Sequence, residues 1–201
     1  MRQKSLFVVF EGLDQSGKKT LSKWLEEHIQ HRGFKSRRYP FPNYDDSIGS
    51  LIKRSLDGSL NLSVETRHLL FAADRWQLYD EMKELLENGT HVIADRYSSS
   101  GIAYGIAHHL DRKWLENLEF GLLTPDLVFY VDISTDVSSI RKPDDRDLYE
   151  QQTDLLERAR TAYLMLAKEN GWVILNGAVS LQNLQKDVEE YVSRFLGDYE
   201  V

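Results

Sequence analysis

The apolar run Leu6–Phe10, LFVVF, leads straight into Gly12-Leu13-Asp14-Gln15-Ser16-Gly17-Lys18, and apolar residues then recur at helical spacing. A continuous β-branched and aromatic run without polar alternation predicts a strand buried on both faces. Leu21, Trp24, Leu25 and Ile29 mark one face of a helix that Gly33 closes. A buried strand feeding a helix through a glycine-bounded turn belongs to layered α/β architecture. The rest of the chain repeats that alternation. Residues 35–39 read as a strand broken by PFPN at 40–43. Ile48, Leu51, Ile52 and Leu56 predict a short helix ending at Gly58. Ser63 can cap a long helix running to about Glu87, with Asn88-Gly89 as its stop. HVIAD at 91–95 reads as a third strand, LVFYVDI at 127–133 as a fourth and WVIL at 172–175 as a fifth. Helices are expected over about 148–169 and 181–196. The expectation is one α/β domain over 1–201, with a parallel five-stranded sheet and helices on both faces. Sites in such sheets lie at the carboxyl ends of the strands.

The turn between the first strand and helix carries a specific chemistry. Two glycines separated by four residues, followed by lysine, allow successive backbone N–H groups to converge on phosphate oxygens. The helix N-terminus adds partial positive charge, and Lys18 can reach the outer phosphates. The expected fold class is therefore the P-loop NTPase type, with Gly12, Leu13, Asp14, Gln15, Ser16, Gly17, Lys18, Lys19 and Thr20 as the ATP phosphate-binding segment. A glycine-containing turn with a surface lysine is the plainer alternative. One position departs from the pattern. Lys19 stands where a Ser or Thr hydroxyl would meet magnesium, and an ammonium cannot coordinate a cation. Magnesium in such sites keeps several waters and binds largely through phosphates. The site is expected to work with an altered metal shell, Thr20 offering a hydroxyl one residue on.

Several function classes are excluded early. The net charge of −7 argues against general nucleic-acid or anionic-membrane binding, which needs surplus Lys and Arg. The chain has no cysteine, so thiolate catalysis, disulfides and Cys-based zinc sites are out. The run Leu6–Phe10 is too short for a signal core or a membrane span. A soluble, cytoplasmic protein is expected.

A second constellation follows the third strand. Asp95 and Arg96 end HVIADR, where a carboxylate can face a metal and a guanidinium can grip a phosphate. Alone, this dipeptide is better read as a strand-end ion pair. In LLFAADRW, Phe71 and Arg75 lie four residues apart on one helix face, an aromatic plate beside a base-reading guanidinium. A core phenylalanine with a solvent-facing arginine is the bland alternative.

Taken together, EGLDQSGKKT, FPNY followed by SIG, LLFAADRW, DRYSSSGIAYG, PDLVFYVDIS and the Arg-containing segment before ERARTAYL resemble the thymidylate kinase (dTMP kinase) family of P-loop nucleoside monophosphate kinases. The resemblance covers essentially the whole chain. It implies ATP as co-substrate, Mg2+ as cofactor, dTMP as acceptor, no general base, and a homodimer. It implies that Asp14 meets the deoxyribose 3′-hydroxyl and that Phe41 and Pro42 line the monophosphate site. Phe71 would stack thymine, Arg75 read its carbonyl and Arg96 hold the acceptor phosphate. Ser100 would lie near the base, and Tyr104 would occupy the space of a ribose 2′-hydroxyl. Asp95 would hold the metal through water. The family draws a catalytic arginine from the loop or from a lid; here Gln15 occupies the loop position. Arg141 and Arg146, within a short lid at about 139–152, are the candidates, with Lys18, Asp95 and Arg96, for catalysis. Arg158 and Arg160 are read as solvated or structural, and the histidines likewise. Besides Lys19, Tyr44 departs from the pattern, standing where many relatives place an arginine for the acceptor phosphate. Alternative readings are a kinase for another nucleotide or nucleoside, such as dUMP or thymidine, and a non-catalytic nucleotide-binding module.

Overall fold

A computed structural model describes residues 5–141, 149 and 152–196. Five strands form one parallel sheet in the order β2-β3-β1-β4-β5: β1 (Phe7–Gly12), β2 (Ser36–Pro40), β3 (His91–Asp95), β4 (Leu127–Asp132) and β5 (Val173–Asn176). β1 lies at the centre between β3 and β4, with Phe10 opposite Asp95 on one side and Phe129 on the other. Every residue of β1 is buried, as its unbroken apolar pattern requires. Alternate side chains divide between the two faces. Val8 and Phe10 join Leu21, Leu25 and Ile29 of α1 (Lys18–His31) and, farther along the chain, Leu184 and Val188. Phe7 and Val9 point the other way, into a cluster with Tyr39, Met82 and Tyr97.

The remaining helices cover the two faces: α2 (Ser47–Leu56), α3 (Val64–Trp76), α4 (Tyr79–Glu87), α5 (Ser98–Ala107), α6 (Arg112–Glu119), α7 (Thr135–Arg141), α8 (Thr153–Asn170) and α9 (Leu181–Leu196). The single helix expected from Ser63 to Glu87 is two. Ser63 does cap α3, accepting from the Thr66 N–H. The chain then breaks at Gln77–Leu78 because its apolar stripe changes sides. Phe71 packs with the cluster of α2, α5 and α8, whereas Leu78, Met82, Leu85 and Leu86 pack with β2 and β3. Trp76 anchors the break by donating its indole N–H to the Leu118 carbonyl at 2.9 Å. Helix α7 ends within residues read as the start of a lid, overlapping it at 139–141, and α8 begins at Thr153 rather than near 148. Arg146 lies outside the described residues, as does the side chain of Arg141. No helix among the described residues is long and apolar enough to cross a membrane.

Candidate active site

At the carboxyl end of β1 the chain turns through Gly12–Gly17 into α1. Gly12 has φ +150°, and a Cβ there would sit 2.7 Å from the Val131 carbonyl oxygen and 2.8 Å from Ser16 Oγ. Gly17, at φ 100°, caps α1 in the left-handed region that favours glycine. The lysine that opens α1 is buried. Lys18 Nζ donates to the Leu13 carbonyl at 3.1 Å and to Asp14 Oδ1 at 3.2 Å. Asp14 Oδ1 also accepts from Arg96 Nη2 at 2.8 Å. Burial favours the neutral acid, but Arg96 and Lys18 outweigh it and hold the Asp14 carboxyl well below the usual carboxylate range.

Arg96 leaves β3 with φ 68°, an uncommon conformation for a non-glycine residue. Its N–H is fixed to the Phe10 carbonyl at 2.9 Å, and its Nη1 donates to Ser100 Oγ and Tyr163 Oη, each at 3.1 Å. The backbone strain thus aims the guanidinium across the end of the sheet. Below it lies Glu11, fully buried. Its carboxyl accepts from the N–H groups of Tyr97 and Ser100, from Ser100 Oγ at 2.5 Å and from Tyr163 Oη at 3.2 Å. Burial raises its pKa, and these donors oppose that rise. Glu11 therefore serves as a hub that orients α5 and α8.

Two cavities meet at this point. They share Asp14, Phe41, Pro42, Tyr44 and Arg96 in their walls. The first is an aromatic chamber walled by Phe71, Tyr104 and Tyr149, with Arg75 and Ser100. Tyr104 and Tyr149 stack with centroids 5.6 Å apart, and Arg96 lies 5.5 Å over the Tyr104 ring. Arg75 is held by Glu119 in a bidentate pair, with Nε 2.8 Å from Oε2 and Nη2 against Oε1. Gly101 makes room for this pair, since a Cβ there would lie 2.7 Å from Arg75 Nη2. Gly49, in the SIG segment, lets α2 approach the loop after Pro42; a Cβ would fall 1.7 Å from the Asn43 carbonyl oxygen. Asp74 secures the same loop, accepting the Asn43 N–H at 3.2 Å.

The second cavity runs along the phosphate loop. Lys18, Lys19, Arg38 and Arg96 line it against Asp14, Asp45 and Asp95. Asp95 is buried, and its Oδ1 has no hydrogen-bond partner. Its Oδ2 lies 3.8 Å from Arg38 Nη1. A hard carboxylate oxygen left open beside a phosphate loop suits a magnesium ion carried mainly by phosphates. Among the described residues there is no cluster of three or more His, Cys, Asp or Glu with metal-binding geometry. The Lys19 ammonium cannot ligate a metal, and Thr20 lies on the cavity wall.

The expected residues Asp14, Phe41, Pro42, Phe71, Arg75, Lys18, Asp95, Arg96, Ser100 and Tyr104 are thus brought together around the joined cavities. Sequence reasoning missed Glu119, Tyr149, Tyr163 and Arg38. Arg158 and Arg160 are structural: Arg158 Nε donates to the Ala107 carbonyl, and Arg160 grips Asp132 with two bonds at 2.7 and 2.8 Å.

A central parallel sheet, a glycine-bounded loop opening α1 and a cationic cavity at the strand ends define a P-loop phosphotransferase. Comparison with known proteins narrows the class. The thymidylate kinase family model matches residues 10–188. The thymidylate kinase of Plasmodium falciparum is 34% identical over 194 residues, 96% of this chain and 92% of its own. That of Thermosipho africanus is 34% identical over 200 residues, covering 95% and 99% of the two chains. The thymidylate kinase structure from Candida albicans superposes with a TM-score of 0.81 at 26% identity, covering 95% of this chain and 92% of that one. The chain belongs to the thymidylate kinase family.

Proposed function

We propose that this enzyme transfers the γ-phosphoryl group of ATP to dTMP, giving dTDP. The observation that carries the reading is the pair of joined cavities: a cationic cavity along the phosphate loop opens onto an aromatic chamber, with Arg96 in the shared wall. Such a layout brings a donor triphosphate and an acceptor monophosphate together while a flat base lies apart from both. Phosphoryl transfer passes through a loose transition state, so catalysis is chiefly positioning and charge stabilisation. Backbone N–H groups of Gly12 to Thr20 cradle the donor phosphates, and Lys18 exchanges its contact with Asp14 for phosphate oxygens. Arg96 holds the acceptor phosphate beside Phe41 and Pro42. In the chamber Phe71 stacks the thymine, Arg75 donates to its carbonyl and Ser100 lies nearby. Asp14 accepts the 3′-hydroxyl, and Tyr104 fills the space of a 2′-hydroxyl. Arg141 and Arg146 supply further cations from the lid. Asp95 would hold Mg2+ through water, and the ion supplies charge neutralisation at the phosphates. The family resemblance supports a homodimer; a cytoplasmic setting belongs to the same reading.

The acceptor is already an anion, so no base is needed. Thymidine as acceptor would require a free carboxylate near its 5′-hydroxyl, and Glu11 is sealed by four donors. The test is transfer from MgATP to dTMP, dUMP, dCMP, UMP, AMP and thymidine. Turnover should be fastest on dTMP. Lys18→Ala should lose roughly 10²- to 10³-fold in kcat, as when one preorganised donor is removed from a transition-state site. Preference for dUMP or thymidine would overturn the acceptor assignment. Nucleotide binding without transfer would make the chain a binding module.

A further inference from the structure

Lys19 is the residue that the motif fails to explain. Its neighbours in the phosphate cavity show what it can do. Each other cation on that wall stands beside a carboxylate. Lys18 and Arg96 both bond Asp14. Arg38 lies between Asp95 and Glu26, 3.8 Å from one and 4.0 Å from the other. Arg75, in the adjoining chamber, is locked to Glu119. Lys19 is exposed, lines the cavity, and forms no ion pair among the described residues. Four cations face three carboxylates here, so without Lys19 the described lining would be electrically balanced.

A balanced wall is poorly suited to several phosphate charges. Two positions that would add a cation do not: Gln15 stands in the loop and Tyr44 lies in the wall shared by both cavities. We infer that Lys19 is a direct phosphate ligand, supplying the cavity's uncommitted positive charge in exchange for the metal-ligating hydroxyl. Its place in the first turn of α1 adds to the positive end of the helix, so the loop amides and two adjacent ammonium groups converge on the same anion. The protein would thereby hold a triphosphate even when the metal is absent. A hydroxyl at position 19 would do the opposite, contributing little to bare phosphate and more to a metal-bound one.

This rests on the proposed kinase reading, and the test separates the two. ATP binding to the full-length protein is measured by calorimetry in EDTA and again at saturating Mg2+, for the native chain and for Lys19→Ser, Lys19→Ala and Lys19→Arg. Transfer to dTMP is followed in parallel. Loss of one charge-assisted contact should weaken metal-free ATP binding about tenfold in Lys19→Ser and Lys19→Ala. Lys19→Arg should stay within about threefold of native, because it keeps the charge. At saturating Mg2+, Lys19→Ser should recover to within about threefold while Lys19→Ala does not, since serine restores an oxygen ligand. If native protein transfers phosphoryl and metal-free binding is the same in all four, Lys19 is not a phosphate ligand and only this inference falls. If native protein binds no ATP under either condition, the kinase reading falls and takes the inference with it.

Discussion

Along the phosphate cavity the charged groups come from a few neighbouring residues. Asp14, Lys18 and Lys19 belong to one loop and the helix turn it opens, and Asp95 and Arg96 are consecutive at the end of the adjacent strand. In the aromatic chamber next to it, Phe71 and Arg75 come from α3, Tyr104 from α5 and Tyr149 from the segment before α8, and Arg75 is held in place by Glu119 of α6. The charges differ as well. Asp14 keeps 31% of its side chain exposed, so its contacts with Lys18 and Arg96 can be traded for those of a ligand. The Arg75 and Glu119 side chains are only 4% and 7% exposed, and both bonds between them are made. The phosphate cavity is a set of exchangeable contacts on a local scaffold. The chamber is a fixed wall assembled from distant parts of the chain, and its recognition chemistry is tied to folding stability.

The strongest way to break that contrast is at Glu119. Glu119→Gln leaves the Arg75 guanidinium buried without its counter-charge, and removing one partner of a buried pair costs about 3–5 kcal/mol. Chemical denaturation should register a loss of that size. The double variant Glu119→Leu, Arg75→Met should regain most of it, because apolar replacements of a buried pair are often neutral. Acceptor recognition should stay lost in the double variant. A loss below about 1 kcal/mol in Glu119→Gln would mean that solvent reaches the pair and that the chamber is as exchangeable as the phosphate cavity.

The same contrast explains what could be read in the sequence. A phosphate cradle needs consecutive backbone amides, so Gly12 to Lys18 must be contiguous and is visible as a motif. The buried runs of β1, β3 and β4 were equally plain, because a strand covered on both faces has no polar alternation to hide it. Phe71 and Arg75 were found through their spacing on one helix. Their partners were not. Glu119 looks like an ordinary solvated residue on an amphipathic helix, and its burial depends on α6 folding back onto α3. Helix α5 gave little periodic signal, since SSSGIAYG reads as turn chemistry. Its glycines serve close packing instead: a Cβ at Gly105 would lie 2.4 Å from Leu115, as one at Gly101 would crowd Arg75. The break between α3 and α4 was also hidden, because each half is a good helix and only the change of buried face separates them.

Phe71 sharpens the comparison at the level of ligand contacts. It is partly buried, meets His68 edge-on at 5.7 Å and tilts toward Tyr149 at 6.5 Å. Stacking a base on an aromatic ring is worth about 1–3 kcal/mol. Phe71→Ala should therefore raise the KM for dTMP roughly 10- to 100-fold and leave the KM for ATP within about twofold, because the proposed donor site is the other cavity. Equal rises in both constants would show that the cavities are coupled through Phe71 and cannot be treated as separate walls.

Acid should separate the two regions by pH. Burial, and then the charges of His108, Arg75 and Arg67, pushes His68 down to about 3; burial, and then Arg67, Arg158 and His109, pushes His108 down to about 4. The folded values lie below the ordinary histidine value of 6.5, so the unfolded chain binds more protons between them and stability falls as pH drops below about 6.5. For His68 alone the slope approaches about 1.4 kcal/mol per pH unit. Asp74, raised to about 6 by burial and by Asp46, works the other way between its ordinary 3.8 and that value, where folding favours its protonated form. Asp14, held below the usual carboxylate range, adds acid sensitivity only as pH falls below about 3.8. The chamber side should thus weaken first on acidification. In His68→Gln, denaturation midpoints followed from pH 7 to 5 should fall less steeply than in the native chain, by about 1 kcal/mol per pH unit. An unchanged slope would mean that His68 takes up its proton without unfolding, and that the chamber wall admits water as freely as the phosphate cavity.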